Sequence, residues 1–256
     1  MKSPISRVIY PGASRPIDVE QLKTTLRPEE ELIWRTTARN ERIGLIIRPP
    51  SIGQSWIIFF YGNGMTVGGT ADTRQRLANA GYGVVCVEYA GYGVSSGSPS
   101  EHGCYRSADA AIAYLQQEAS ATLDRVTLVG WSLGSAVAMD LASRREVRAQ
   151  IILSPLTSLF AAALDLAYLG QTAFSAGPFN ALSRAKSVDC PTLIVSGSND
   201  RLTRPWMANE LKKALGGRAR QVNLSGVGHN DMLGSGARLW DVVTDFLKST
   251  ASPATG

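Results

Sequence analysis

The chain predicts an α/β fold, a mostly parallel sheet with helices on both faces. Three observations carry this expectation: short unbroken runs of Val, Ile and Leu, helical patterns between most of the later runs, and 256 residues, enough for one large domain.

The strand-like runs are LIWRTTA and RIGLIIR, joined by RNE as a hairpin, then SWIIFFY, YGVVCVEY, RVTLVG, RAQIILS, PTLIVSG and RQVNLSG, eight in all. Between most of the later runs lie TRQRLANA, ADAAIAYLQQEA, SAVAMDLASRR and PWMANELKKAL, and RLWDVVTDFLKS closes the chain. Their apolar residues recur at i, i+3 and i+4, the period of a helix with one buried face. Residues 156–188 are too many for one crossover helix. They are expected to form a small helical cap insertion within a single domain spanning 1–256.

Hydrophobic residues make up 44% and charged residues 18%, a globular balance far from that of a disordered chain. The net charge of +5 comes from basic residues scattered singly and in pairs among acids, so no nucleic-acid footprint is expected. Cys86, Cys104 and Cys190 are odd in number and lack C-x-x-C spacing, which argues against a disulfide framework and against a zinc site. The N-terminal stretch has no apolar core of a leader, and no run of 18 apolar residues occurs. A cytoplasmic protein without a transmembrane segment is the expectation.

The pattern G-x-S-x-G occurs twice, at GVSSG (Gly93 to Gly97) and GWSLG (Gly130 to Gly134). A nucleophile elbow needs a strand, a sharp turn and a helix, because the turn holds the serine in strained backbone geometry. RVTLVGWSLGSAVAMDLASRR supplies all three, whereas GVSSGSPSEHG runs into small polar residues and a proline. Ser132 is therefore the candidate nucleophile and Ser95 a decoy. A serine hydroxyl needs a base to take its proton and an acid to orient that base. Only two histidines are present. His102 sits beside a helix start and reads as a surface residue; His229, in GVGHND after the last strand, is the candidate base. Asp200, just beyond the strand in TLIVSGSND, lies 68 residues after Ser132 and 29 before His229, the acid position in the order serine, acid, histidine. Asp189 precedes a strand, Asp231 crowds His229, and Asp165 lies in the insertion, so they rank lower.

FFYGNGMTVG at 59–68 admits two readings. Gly62, Gly64 and Gly68 form a near relative of the dinucleotide-binding loop, and Glu88 lies 26 residues after Gly62, where a ribose partner would stand. No tyrosine, however, has a lysine four positions on, and the loop follows a hairpin instead of opening the fold. The second reading is an oxyanion loop after the third strand, with the amides of Asn63 and Leu133 aimed at a carbonyl oxygen. In that reading Gly62 and Gly64 allow close approach of substrate, Gly68 is incidental, and Glu88 ends a strand.

VEYAGYGVSSGSPSE, GWSLGSA, CPTLIVSGSND and GVGHND resemble the alpha/beta-hydrolase-domain serine hydrolases, in the small, lightly capped branch that includes protein depalmitoylases. The resemblance runs from about residue 34 to 248. It implies the α/β-hydrolase fold, a triad at Ser132, Asp200 and His229, and oxyanion amides at Asn63 and Leu133. The family usually has His-Gly-Asn where this chain has Tyr61-Gly62-Asn63, the histidine acting as a support of the oxyanion loop. The expected activity is hydrolysis of a carboxylic ester or thioester through an acyl-enzyme, on a small-molecule or acylated substrate and without a cofactor. Acyl transfer, cleavage of an N-terminal residue, or a non-catalytic binding role on the same fold are the alternatives. Tyr61, Met65, Tyr92 and Trp131 are the candidate pocket residues, set against ordinary core packing.

Overall fold

A computed structural model of the chain describes residues 9–15, 17–51, 55–166 and 177–251. One eight-stranded sheet organises them: β1 (Glu31–Thr36), β2 (Arg42–Arg48), β3 (Trp56–Phe60), β4 (Gly83–Val87), β5 (Val126–Trp131), β6 (Ala149–Leu153), β7 (Thr192–Gly197) and β8 (Ala219–Leu224). The spatial order is β1-β2-β4-β3-β5-β6-β7-β8. β1 pairs with β2, and β2 with β4, in antiparallel fashion; all later pairings are parallel. β3 to β7 are buried along their whole length, as unbroken Val/Ile/Leu runs require when both faces are covered.

The helices are α1 (Val19–Thr24), α2 (Ala71–Asn79), α3 (Glu101–Gln117), α4 (Leu133–Ala142), α5 (Leu159–Leu166), α6 (Ala181–Ala185), α7 (Pro205–Leu215) and α8 (Ala237–Thr250). α3 begins seven residues before the apolar pattern expected, because Ser100 caps it: its hydroxyl accepts the Gly103 amide at 3.0 Å. α7 opens on Pro205, whose missing N–H is one of the unpaired donors at a helix start. α1 carries no long apolar period and escaped the sequence reading; Asp18 caps it by accepting the Gln21 amide at 2.8 Å. Within 156–188, where a cap insertion is expected, the described residues hold the helices α5 and α6; residues 167–176 lie outside the described ones.

The ion pair of Arg74 with Glu30 lies inside the core. Arg74 donates from Nε and Nη2 to the two oxygens of Glu30 at 2.8 and 2.9 Å, and from Nη1 to the Val67 carbonyl at 3.1 Å and Thr70 Oγ1 at 2.7 Å. Burial raises the Glu30 pKa, but the hydrogen bonds and charge of Arg74 outweigh it and hold the carboxyl below its ordinary 4.5. A depressed carboxyl contributes stability that is complete above its unfolded value and is lost as pH falls through the folded one. Replacing Arg74 by alanine leaves Glu30 buried and unpaired, a change expected to lower stability by about 3–5 kcal/mol. The double variant Arg74→Met, Glu30→Leu should lose much less, and its unfolding free energy should fall less steeply below pH 4.5 than that of the wild type. Urea unfolding across that pH range measures both.

Candidate active site

Parallel strands end at one edge of the sheet, and the connections that leave this edge carry the chemistry-bearing side chains. Ser132 follows β5, Asp200 follows β7, and His229 follows β8. His229 Nε2 stands 3.0 Å from Ser132 Oγ, and His229 Nδ1 stands 2.9 Å from Asp200 Oδ2. The three side chains thus form one relay. With Nδ1 donating to the carboxylate, Nε2 is left as the acceptor for the serine proton.

Ser132 has φ 55° and ψ −120°, a conformation that a side chain rarely adopts. It occupies the N-cap of α4, yet its hydroxyl caps no amide of that helix. The turn fits because of its glycines: a Cβ on Gly130 would stand 2.6 Å from the Gly134 carbonyl carbon, and one on Gly134 would stand 2.5 Å from the Phe60 carbonyl carbon. Ser95 is engaged elsewhere. Its hydroxyl donates to the Glu88 carbonyl at 3.0 Å and accepts the Gly44 amide at 2.9 Å, pinning the turn after β4 to β2. His102 is exposed on α3, its ring edge-on to Tyr105, away from the relay.

Asp200 is 3% exposed. Burial raises its pKa, but the hydrogen bond and charge of His229, together with the Thr203 amide, lower it further, so the carboxylate form is held. Its Oδ1 accepts the amides of Leu202 and Thr203 at 3.0 and 2.8 Å. Thr203 is a residue the sequence reading missed. Its hydroxyl lies 2.9 Å from Asp200 Oδ2, 3.1 Å from His229 Nδ1 and 3.0 Å from the Ser154 carbonyl. Its only sequence signal is a position three residues after the acid, in the turn the acid itself closes. The Trp131 ring lies against the His229 ring, centroids 5.4 Å apart and planes inclined by 31°.

The loop after β3 runs beside the elbow. A Cβ on Gly62 would stand 2.9 Å from the Trp131 ring and 3.3 Å from Ser132 Cβ, so only glycine allows this approach. Gly64 faces open space, and Gly68 makes only ordinary contacts. Among the described residues, neither the Asn63 nor the Leu133 amide donates to a protein acceptor. Leu133 opens α4, where amides lack intrahelical partners and the helix end favours negative charge.

Two of the four pocket candidates lie elsewhere. Tyr61 is fully buried; its hydroxyl donates to Glu88, which also accepts the Val67 amide at 3.2 Å and the Val94 amide at 3.4 Å. Tyr92 is fully buried as well, and its hydroxyl donates to Asn63 Oδ1 at 2.7 Å. Both are supports inside the fold, because a phenol in the core needs a polar partner for its hydroxyl. Met65 is partly exposed on the loop after β3, and Trp131, 8% exposed, is the candidate whose ring meets His229. Glu88, with its carboxyl inside the core, is no ribose partner. Burial raises it to about 7, against the lowering by Tyr61 and the two amides. Among the other acids, Asp165 accepts from Trp206 Nε1 at 3.1 Å and pairs with Arg204 at 3.3 Å, joining α5 to α7, and Asp189 pairs with Arg218 at 3.6 Å. Among the described residues no group of three His, Cys, Asp or Glu could hold a metal, and no helix is long and apolar enough to cross a membrane.

A family model described as the alpha/beta hydrolase family matches residues 55–186, and one described as TAP-like protein matches 173–256. The alpha/beta hydrolase domain-containing protein aho-3 of Caenorhabditis elegans is 29% identical over 208 residues, 79% of this chain and 60% of that protein. An uncharacterised protein of Mycobacterium tuberculosis is 33% identical over 183 residues, 71% of this chain and 65% of its own length. The chain thus spans less than two thirds of these relatives. Among solved structures, an alpha-beta hydrolase from Vibrio vulnificus superposes with a TM-score of 0.80 at 19% identity, covering 98% of this chain and 95% of its own. The Pyrococcus furiosus esterase Pf2001 superposes with 0.75 at 17% identity, covering 92% and 96%. These two share the fold. With the elbow between β5 and α4 and a family model over more than half of its length, the chain belongs to the alpha/beta hydrolase family.

Proposed function

We propose that the protein is a serine hydrolase that cleaves a carboxylic ester or thioester in two steps. The observation that carries this reading is the relay of 3.0 and 2.9 Å from Ser132 through His229 to Asp200, beside two amides without a protein acceptor. Ser132 Oγ attacks the carbonyl carbon while His229 Nε2 takes its proton; Asp200 keeps the imidazole in the tautomer that can accept it. The negative charge that develops on the carbonyl oxygen is met by the amides of Asn63 and Leu133. His229 then returns its proton to the departing alkoxide or thiolate, leaving an acyl group on Ser132. Water, deprotonated by His229, releases the acid and restores the serine. The esterase among the proteins of shared fold agrees with an acyl substrate.

A fluorophosphonate probe should label the wild type at Ser132 and leave Ser132→Ala unlabelled. Labelling that persists in Ser132→Ala assigns the nucleophile elsewhere, and an unlabelled, folded wild type sinks the hydrolase reading. An acyl-chain series of nitrophenyl esters, run beside thioesters and aminoacyl amides, measures the preference; turnover of the amides alone would replace esterolysis by peptidase action.

Thr203→Val removes the hydroxyl shared by Asp200 and His229 and keeps the backbone amide on Asp200 Oδ1. A hydrogen bond to a charged group contributes about 1.5–3 kcal/mol, so kcat should fall by about 10- to 100-fold with KM little changed. Steady-state kinetics on one ester decides it.

A further inference from the structure

Residues 9–15 take no part in the sheet, yet they lie on the loop that follows β3. Gly12, in a single turn of 3-10 helix over Pro11–Ser14, donates its amide to the Asn63 carbonyl at 2.9 Å. Asn63 Nδ2 donates to the Ile9 carbonyl at 2.6 Å, and Asn63 Oδ1 accepts the Tyr92 hydroxyl at 2.7 Å. Every polar atom of Asn63 except its amide is thereby bound. Tyr10 fastens the segment on its other side. Its ring meets Tyr92 edge-on at 6.5 Å and Phe179, just before α6, at 6.3 Å. Phe179 is itself held by its amide, which donates to Glu101 Oε1 at 2.7 Å.

The fit at Gly12 leaves no room. A Cβ there would stand 2.6 Å from the Asn63 carbonyl oxygen and 2.8 Å from the Tyr92 ring, and would also strike the Met65 carbonyl. A segment that merely covered apolar surface would not need two hydrogen bonds to one loop residue, nor a glycine against the carbonyls of Asn63 and Met65.

We propose that Ile9–Gly12 is a strap that positions the oxyanion amide of Asn63, with Gly12, Tyr92 and the Asn63 side chain as positioning residues. The proposal rests on the hydrolase reading above. An oxyanion donor works by being aimed before charge develops, so a loop free to drift loses transition-state binding while substrate binding is spared. The Asn63 amide stays in place because the strap holds its carbonyl and its Nδ2 while Tyr92 holds its Oδ1.

The test uses the full chain with Gly12→Val, Gly12→Ala and Asn63→Ala, and Ser14→Ala on the exposed side of the same turn as control. Steady-state ester hydrolysis, affinity for a trifluoromethyl ketone that adds to the serine, and hydrogen exchange of residues 61–69 are measured on each. Gly12→Val and Asn63→Ala should lose about 10- to 100-fold in kcat, less than the roughly 100- to 1000-fold that follows outright removal of an oxyanion donor, with KM within about twofold. Ketone affinity should fall in parallel, amides of 61–69 should exchange faster, and the control should match the wild type. If Gly12→Val does not fold, Gly12→Ala and Asn63→Ala carry the same readings. A folded Gly12→Val or Asn63→Ala with wild-type kcat and unchanged exchange overturns the strap, as does a loss confined to KM. If the wild type itself neither turns over esters nor takes the probe, the hydrolase reading fails alone; faster exchange of 61–69 in Gly12→Val would then still report the strap.

Discussion

The close approach of the ends of β3 and β5 governs the rest of the structure. Gly134, in the first turn of α4, lies against the carbonyl of Phe60, the last residue of β3, and Gly62 lies against Trp131 and Ser132. Neither contact admits a side chain. Because the two strands are paired in register from Trp56 with Val126 to Phe60 with Gly130, their loops leave the sheet together. The strained backbone of Ser132 is then held by packing on both sides, which is the condition under which such a conformation persists in a folded chain. Close packing here therefore does two things at once: it raises the serine above the sheet, and it sets the neighbouring loop within reach of it.

A buried polar frame supports that loop from below. Tyr61 begins it and Val67 ends it, and both meet the carboxyl of Glu88, while Arg74 binds the Val67 carbonyl and is itself neutralised by Glu30. Burying these charged and hydroxyl groups is favourable only because each finds a partner. Tyr61 makes the link from the loop to Glu88. Tyr89 closes the frame, its hydroxyl donating to the Tyr61 carbonyl at 2.8 Å and its ring 4.7 Å from that of Tyr61.

On the opposite flank, Asp200 and Thr203 hold the imidazole. The turn after β7 folds back so that the carboxylate receives two of its own amides, which fixes its orientation before His229 arrives from the loop after β8. Trp131 covers one face of the ring. The candidate base is thus constrained by a polar edge and an apolar face, and its remaining nitrogen points at the serine.

The sequence by itself determined the succession of strands and of the helices between the later ones, the hairpin start, the elbow and the candidacy of Ser132, Asp200 and His229. Those features rest on periodicity, glycine spacing and chain order, which are local. It could not tell supports from pocket: Tyr61 and Tyr92 look alike as aromatic neighbours of a glycine loop, and only the fold shows both hydroxyls turned into the core. Nor could it reveal the roles of Glu88, Thr203 or the strap at Ile9–Gly12. Each of these depends on atoms brought together from distant parts of the chain, Asn63 with Ile9 and Tyr92, or Glu88 with Tyr61 and Val67, and no pattern of neighbouring residues records such meetings. The tertiary structure decided them because a buried polar atom must find its partner wherever the packing of the sheet and helices places one.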